Sequence, residues 1–190
     1  MNIPQITKRR VAFLGGIGLI AALAAGQLTA QAHEGHGTNT SLRLTEAQRT
    51  VIREATSQYK DVDEAIAAGY LPTDSCAELP GVGGMGYHFI NPVLASDAKI
   101  DPTQPELLLY TKDAQGRFKL AGAEWFVADA DQDLSTDPDR PTLFGHPFDG
   151  PMPGHEPGMP MHFDLHAWVY LNNPTGELSA WNPRVTCPAP

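Results

Sequence analysis

The clearest pattern along the chain is a two-residue alternation from Met161 to Leu171. Phe163, Leu165, Ala167, Val169 and Leu171 fall on one side, and His162, Asp164, His166, Trp168 and Tyr170 on the other, which is the period of a β-strand. The apolar side predicts a core-facing surface. The other side gathers two histidines, a carboxylate and two aromatics with polar tips, which predicts either the rim of a ligand or metal site or a wet outer surface.

The same patterning places the other elements. Thr45-Glu-Ala-Gln48 has the form of a capping box, and Ala47, Val51, Ile52 and Ala55 recur at helical spacing, predicting a helix to about Gln58. A second helical segment, Val62 to Ala68, should stop at Gly69. The prolines and glycines between Leu71 and Gly84 predict a loop, followed by a short strand over Met85 to Pro92, with His88 and Ile90 on one side and Tyr87 and Phe89 on the other. Pro105 to Thr111 predicts the next strand, Asp113-Ala-Gln-Gly116 a hairpin turn, and Arg117 to Ala128 a third strand, in which Leu120, Gly122, Glu124 and Phe126 share a face. Asn172 to Gly176 should turn the chain, and Leu178 to Trp181 should form a short return strand. The short connections argue against parallel βαβ units. The fold class expected is α+β, with an N-terminal helical pair packed on a mostly antiparallel β-sheet or open barrel of about five or six strands.

Two segments lack any period. Asp129-Ala-Asp-Gln-Asp133 has the alternate-aspartate spacing of a calcium loop, but Leu134 stands where such a loop needs glycine and Arg140 where it needs a bidentate glutamate, so a solvated loop is expected. Pro141 to Met161 is too rich in proline and glycine for a regular element and is expected to form a lid over a site on the neighbouring strand. Its His146 and His155, with three methionines, are secondary metal candidates of the donor type that suits copper.

Composition adds an address. Lys8, Arg9 and Arg10 precede an uncharged apolar run that ends in Ala30-Gln-Ala32, the layout of a secretory signal peptide over residues 1–32. Residues 33–44 are then a flexible leader carrying His33 and His36, two further metal candidates, and residues 45–190 a single globular domain. Periplasmic or secreted localisation follows, with no stable membrane span once the signal is cleaved. Cleavage takes the formal charge from −9 to −12, because the segment holds three basic residues and no acidic one. Nucleic acid is an improbable partner for so acidic a chain, whereas a metal ion or small ligand suits it. Cys76 and Cys187 are the only cysteines, and in an oxidising compartment they are expected to pair.

Taken together, Gly84-Met-Gly-Tyr-His-Phe-Ile-Asn-Pro92, Pro105-Glu-Leu-Leu-Leu-Tyr110, Gly122-Ala-Glu-Trp-Phe126, Leu165-His-Ala-Trp168 and Trp181-Asn-Pro-Arg-Val-Thr-Cys187 resemble a group of uncharacterised exported bacterial proteins. The resemblance covers most of the chain after the leader and implies an exported single domain; it carries no known activity.

Three functions compete on these residues. The first is a binding module for a metal, with Cu or Zn foremost, or for a small ligand. Its metal candidates are His88, Glu124, His162 and His166, with Tyr87, Asp164, Trp168 and Tyr170 lining the site. His162 and His166, about 13–14 Å apart along a strand, cannot both reach one ion, so His166 is expected to pair with donors from other strands. The second is a metal-dependent enzyme of unknown reaction class using the same cluster. The third is a structural or protein-interaction domain in which each polar side chain has its own buried partner.

Overall fold

The computed structural model describes residues 42–155 and 158–188. The signal-peptide expectation for residues 1–32, together with His33 and His36, falls outside the described residues. The capping box forms as expected: Thr45 accepts from the Gln48 N–H, and the Gln48 side chain accepts from the Thr45 N–H at 2.7 Å. It opens α1 (Glu46–Thr56), whose Ile52 is buried in one apolar cluster with Trp125, Phe163 and Leu165. A 3-10 turn (Ser57–Lys60) leads into α2 (Val62–Ala67), and the chain leaves that helix through Gly69 at φ +94°.

Six strands form one antiparallel sheet: β1 (Leu71–Leu79), β2 (Gly83–Ile90), β3 (Leu107–Lys112), β4 (Phe118–Ala128), β7 (Asp149–Met152) and β8 (His162–Ala167). Their order is β1-β2-β3-β4-β8-β7. A one-turn helix, α3 (Pro92–Ala95), follows β2, and β5 (Thr142–Leu143) pairs with β6 (His146–Pro147) in a separate two-stranded ribbon. The architecture is the α+β arrangement the pattern predicts. The Cys76–Cys187 disulfide forms, with a Cα separation of 5.6 Å, and ties the C-terminal segment to β1. Among the described residues no helix is long and apolar enough to cross a membrane.

Four expectations are corrected. The segment from Pro141 to Met161, expected to hold no regular element, contributes β5, β6 and β7. The loop expected over Leu71–Gly84 is mostly strand: β1 pairs with β2 through register shifts between Pro72 and Cys76 and between Ala77 and Glu78. Proline and irregular pairing are tolerated there because β1 is the sheet edge. The return strand expected over Leu178–Trp181 does not form: Leu178 joins the core cluster with Trp125 and Leu165, and the residue after the segment, Asn182, makes an isolated bridge to Gly84. The long strand over Met161–Leu171 ends at Ala167: Trp168 N turns away to donate to Glu177 O, and at the β4 bulge Tyr170 N and Leu171 N both donate to Ala121 O instead of continuing the ladder.

Directly paired residues on neighbouring strands point to the same face. The pairs His88↔Leu109, Leu109↔Gly122, Leu107↔Glu124, Glu124↔His166, Phe126↔Asp164 and Ala128↔His162 therefore mark out one face. The other face carries Phe89, Leu108, Tyr110, Trp125, Phe163 and Leu165, which cluster with α1 and α2 residues. The polar row lies opposite the helices and is nevertheless buried, since every residue of β8 is buried on both faces. A wet outer surface is excluded for His162, Asp164 and His166.

Candidate metal centre

Three strands supply three donors. His88 comes from β2, Glu124 from β4 and His166 from β8, and one donor atom from each lies within 4.8 Å of the others. Glu124 and His166 are direct cross-strand partners, so their meeting is dictated by the β4–β8 register. His88 reaches Glu124 across the intervening β3, over Leu107 and Leu109.

Glu124 Oε2 is the shared point. It lies 3.2 Å from His88 Nε2 and 3.6 Å from His166 Nε2. Although buried, Glu124 Oε2 is in hydrogen-bond geometry with neither ring, and both His166 ring nitrogens also lack a hydrogen-bond partner. Two donors bound at about 2.0–2.1 Å to one ion are about 2.8–3.4 Å apart, depending on whether the angle is octahedral or tetrahedral. The 3.2 Å separation falls inside that range and the 3.6 Å separation just outside it, so the three atoms can hold a cation after a slight closing of His166. Side-chain exposure falls from 16% at His88 to 5% at Glu124 and 1% at His166, so the cluster is open only on its His88 side.

Asp164 stands behind His166. Its Oδ1 lies 3.6 Å from His166 Nδ1, the ring nitrogen turned away from Glu124, and its Oδ2 lies 3.7 Å from His162 Nε2. A carboxylate on the far nitrogen of a ligating imidazole orients the ring and raises its basicity. Burial alone would push the His166 imidazole down, but the Glu124 and Asp164 carboxylates outweigh it and hold the pKa at about 9. Burial would raise the Asp164 carboxyl, yet the flanking His162 and His166 rings hold it well below the usual carboxylate range. At neutral pH His166 therefore carries a proton that a metal ion would have to displace.

Comparison with protein-family models, with curated proteins and with solved structures finds no match. The chemistry of the centre follows from its own donors. Two imidazoles and one carboxylate are a borderline set that suits Zn(II), Fe(II) or Cu(II), and they leave at least one coordination position for water or a ligand.

The remaining expected site residues are dispersed. Tyr87 points to the face opposite His88, packing edge-on against Phe118 and under Lys112 Nζ. Trp168 is buried with Leu109, Ala121 and Val185, its indole N–H donating to Ser179 O at 2.7 Å. Tyr170 leaves the polar face where β8 ends and meets α1, its hydroxyl 3.0 Å from Thr56 Oγ1 and donating to Arg53 O. Tyr87 and Tyr170 face away from the cluster, the strand alternation that placed Tyr170 having stopped at Ala167, whereas Trp168 packs on Leu109, the cross-strand partner of His88. His162 stays on the metal-facing row but touches Asp164, not the three-donor cluster. His155 stacks edge-on against His162 at 5.2 Å between ring centres, whereas His146 sits in β6 beside a cavity lined by Arg140 and Phe148.

Two buried carboxylates escape the sequence pattern: Asp129, which the expected solvated loop would have left exposed, and Glu106. Glu106 is 1% exposed, and its Oε2 accepts from Phe126 N at 3.0 Å where the ladder to β3 has ended. The available signal was its position between Pro105 and the Leu107-Leu-Leu109 run, where a flanking residue is drawn into the core.

Proposed function

We propose that the protein is an exported binding module for a transition metal ion, held by His88 Nε2, Glu124 Oε2 and His166 Nε2, with Asp164 orienting His166. The observation that carries this is the convergence of three donors from three strands, Glu124 and His166 buried and His88 partly so, around a carboxylate oxygen that no hydrogen bond satisfies. The Cys76–Cys187 disulfide and the signal-peptide layout of residues 1–32 support an oxidising compartment outside the cytosol. Membership of the exported family that the chain resembles belongs to the same proposal.

Elemental analysis of protein purified without chelator or histidine tag tests the metal. The expected result is close to one equivalent of a transition metal at the centre, lost in His166→Ala and in Glu124→Gln. Metal content that both variants retain in full would remove the centre from the proposal. A metal-dependent enzyme is the second reading, and one observation favours it: three protein donors leave a position open, as catalytic centres do, on the side where His88 meets solvent. Turnover that appears only with metal and disappears in Glu124→Gln would establish it.

A further inference from the structure

The polar row does not end at Asp164. His162 is fully buried, and its Nδ1 donates to Pro160 O at 3.1 Å, which turns Nε2 towards Asp164. Nε2 has no hydrogen-bond partner and stands 3.7 Å from Asp164 Oδ2. A buried nitrogen that no hydrogen bond satisfies, beside a carboxylate oxygen, is costly unless a proton or a metal ion lies between them.

The Pro/Gly-rich segment wraps this histidine. Met152 pairs with His162 across β7 and β8, and a side chain at Gly150 would come within 2.7 Å of His162 O. Gly154 packs so closely on Met159 that a Cβ there would overlap Met159 O. The exposed His155 ring stands against His162 at 5.2 Å between centres and 85° between planes. Two imidazoles on one tetrahedral ion, each bound at about 2.0–2.1 Å, have their ring centres about 5 Å apart.

We propose a second metal position formed by His162 Nε2, Asp164 Oδ2 and the imidazole of His155, for a borderline divalent ion of the Zn(II) class. The first two donors are fixed by β8, and the exposed His155, whose ring stands beside His162, supplies the third by rotation of its side chain. Asp164 serves both positions, Oδ1 towards His166 and Oδ2 towards His162. The donors that bind this ion differ from His88, Glu124 and His166, and the two positions fail separately.

Titration of the full chain with Zn(II) against a competing chelator tests this, in a His33→Ala/His36→Ala background that removes the leader imidazoles. The expected result is two equivalents, with His155→Ala weakening one of them at least tenfold and His166→Ala removing the other while the His155-dependent one persists. His155 is exposed, so its replacement leaves the fold intact; a Co(II) absorption spectrum that changes in His155→Ala gives an independent readout. A single equivalent in the parent that survives in His155→Ala, two equivalents unchanged in His155→Ala, or loss of both equivalents in His166→Ala would overturn the second position. A single equivalent in the parent that His155→Ala weakens and His166→Ala leaves unchanged would instead overturn the first.

Discussion

Glu124 is the residue whose environment depends most on a bound cation, because its Oε2 faces two imidazoles and hydrogen-bonds to neither. Asp164 acts one step further out. Asp164→Asn keeps an acceptor for His166 Nδ1 but removes the charge that makes the ring a strong ligand, so metal affinity at the centre should fall about 10–100-fold with the fold preserved. Chelator competition on the folded variant measures this, and unchanged affinity would show that Asp164 does not orient the ligand. Glu106 gives a stability prediction of definite sign. Burial raises its pKa from the ordinary 4.5 to about 7, against the hydrogen bond from Phe126 N. A raised carboxyl favours the folded state only while it holds its proton, so its ionisation costs nothing below about pH 4.5. The cost grows as the pH rises towards 7 and is complete above it, at roughly 3 kcal/mol. Glu106→Gln should therefore match the parent in urea denaturation at pH 4 and exceed it at pH 8; parallel stability profiles for the two proteins would contradict this.

At the scale of elements, what could be seen in the sequence was local. The α1 capping box, the Asp113–Gly116 turn and the alternation of β4 and β8 each depend on residues a few positions apart, and all three form. Strand β1 was hidden because Pro72 and two register shifts erase its period, which only an edge position permits. The alternation also overran its element: nothing in Trp168 to Leu171 announces that Trp168 N will leave the ladder for Glu177 O. His88, Glu124 and His166 were each identifiable as candidates, but their convergence was not. It depends on the registers of β2–β3, β3–β4 and β4–β8, which tie together residues far apart in sequence. The same registers explain why His162 and His166 belong to different clusters, since the four-residue separation along a strand keeps them apart.

For the whole molecule, the Cys76–Cys187 bridge closes a loop with a sequence separation of 111 and fixes the C-terminal segment beside β1. On the chain-entropy model its removal costs about 4–5 kcal/mol. Cys76→Ser/Cys187→Ser should lower the urea midpoint markedly while the folded fraction keeps its metal, because no donor lies on either linked segment. An unchanged midpoint would mean that the sheet and helices alone supply the stability. With the bridge in place, the molecule is a disulfide-closed sheet whose helix-free face buries a row of histidines and carboxylates. That row is the central claim. Anomalous diffraction from crystals of the Zn(II)-loaded protein tests it most directly. The expected result is a peak about 2.0–2.2 Å from His88 Nε2, Glu124 Oε2 and His166 Nε2. Peaks confined to exposed histidines, with Glu124 and His166 closed onto each other in a direct hydrogen bond, would contradict it.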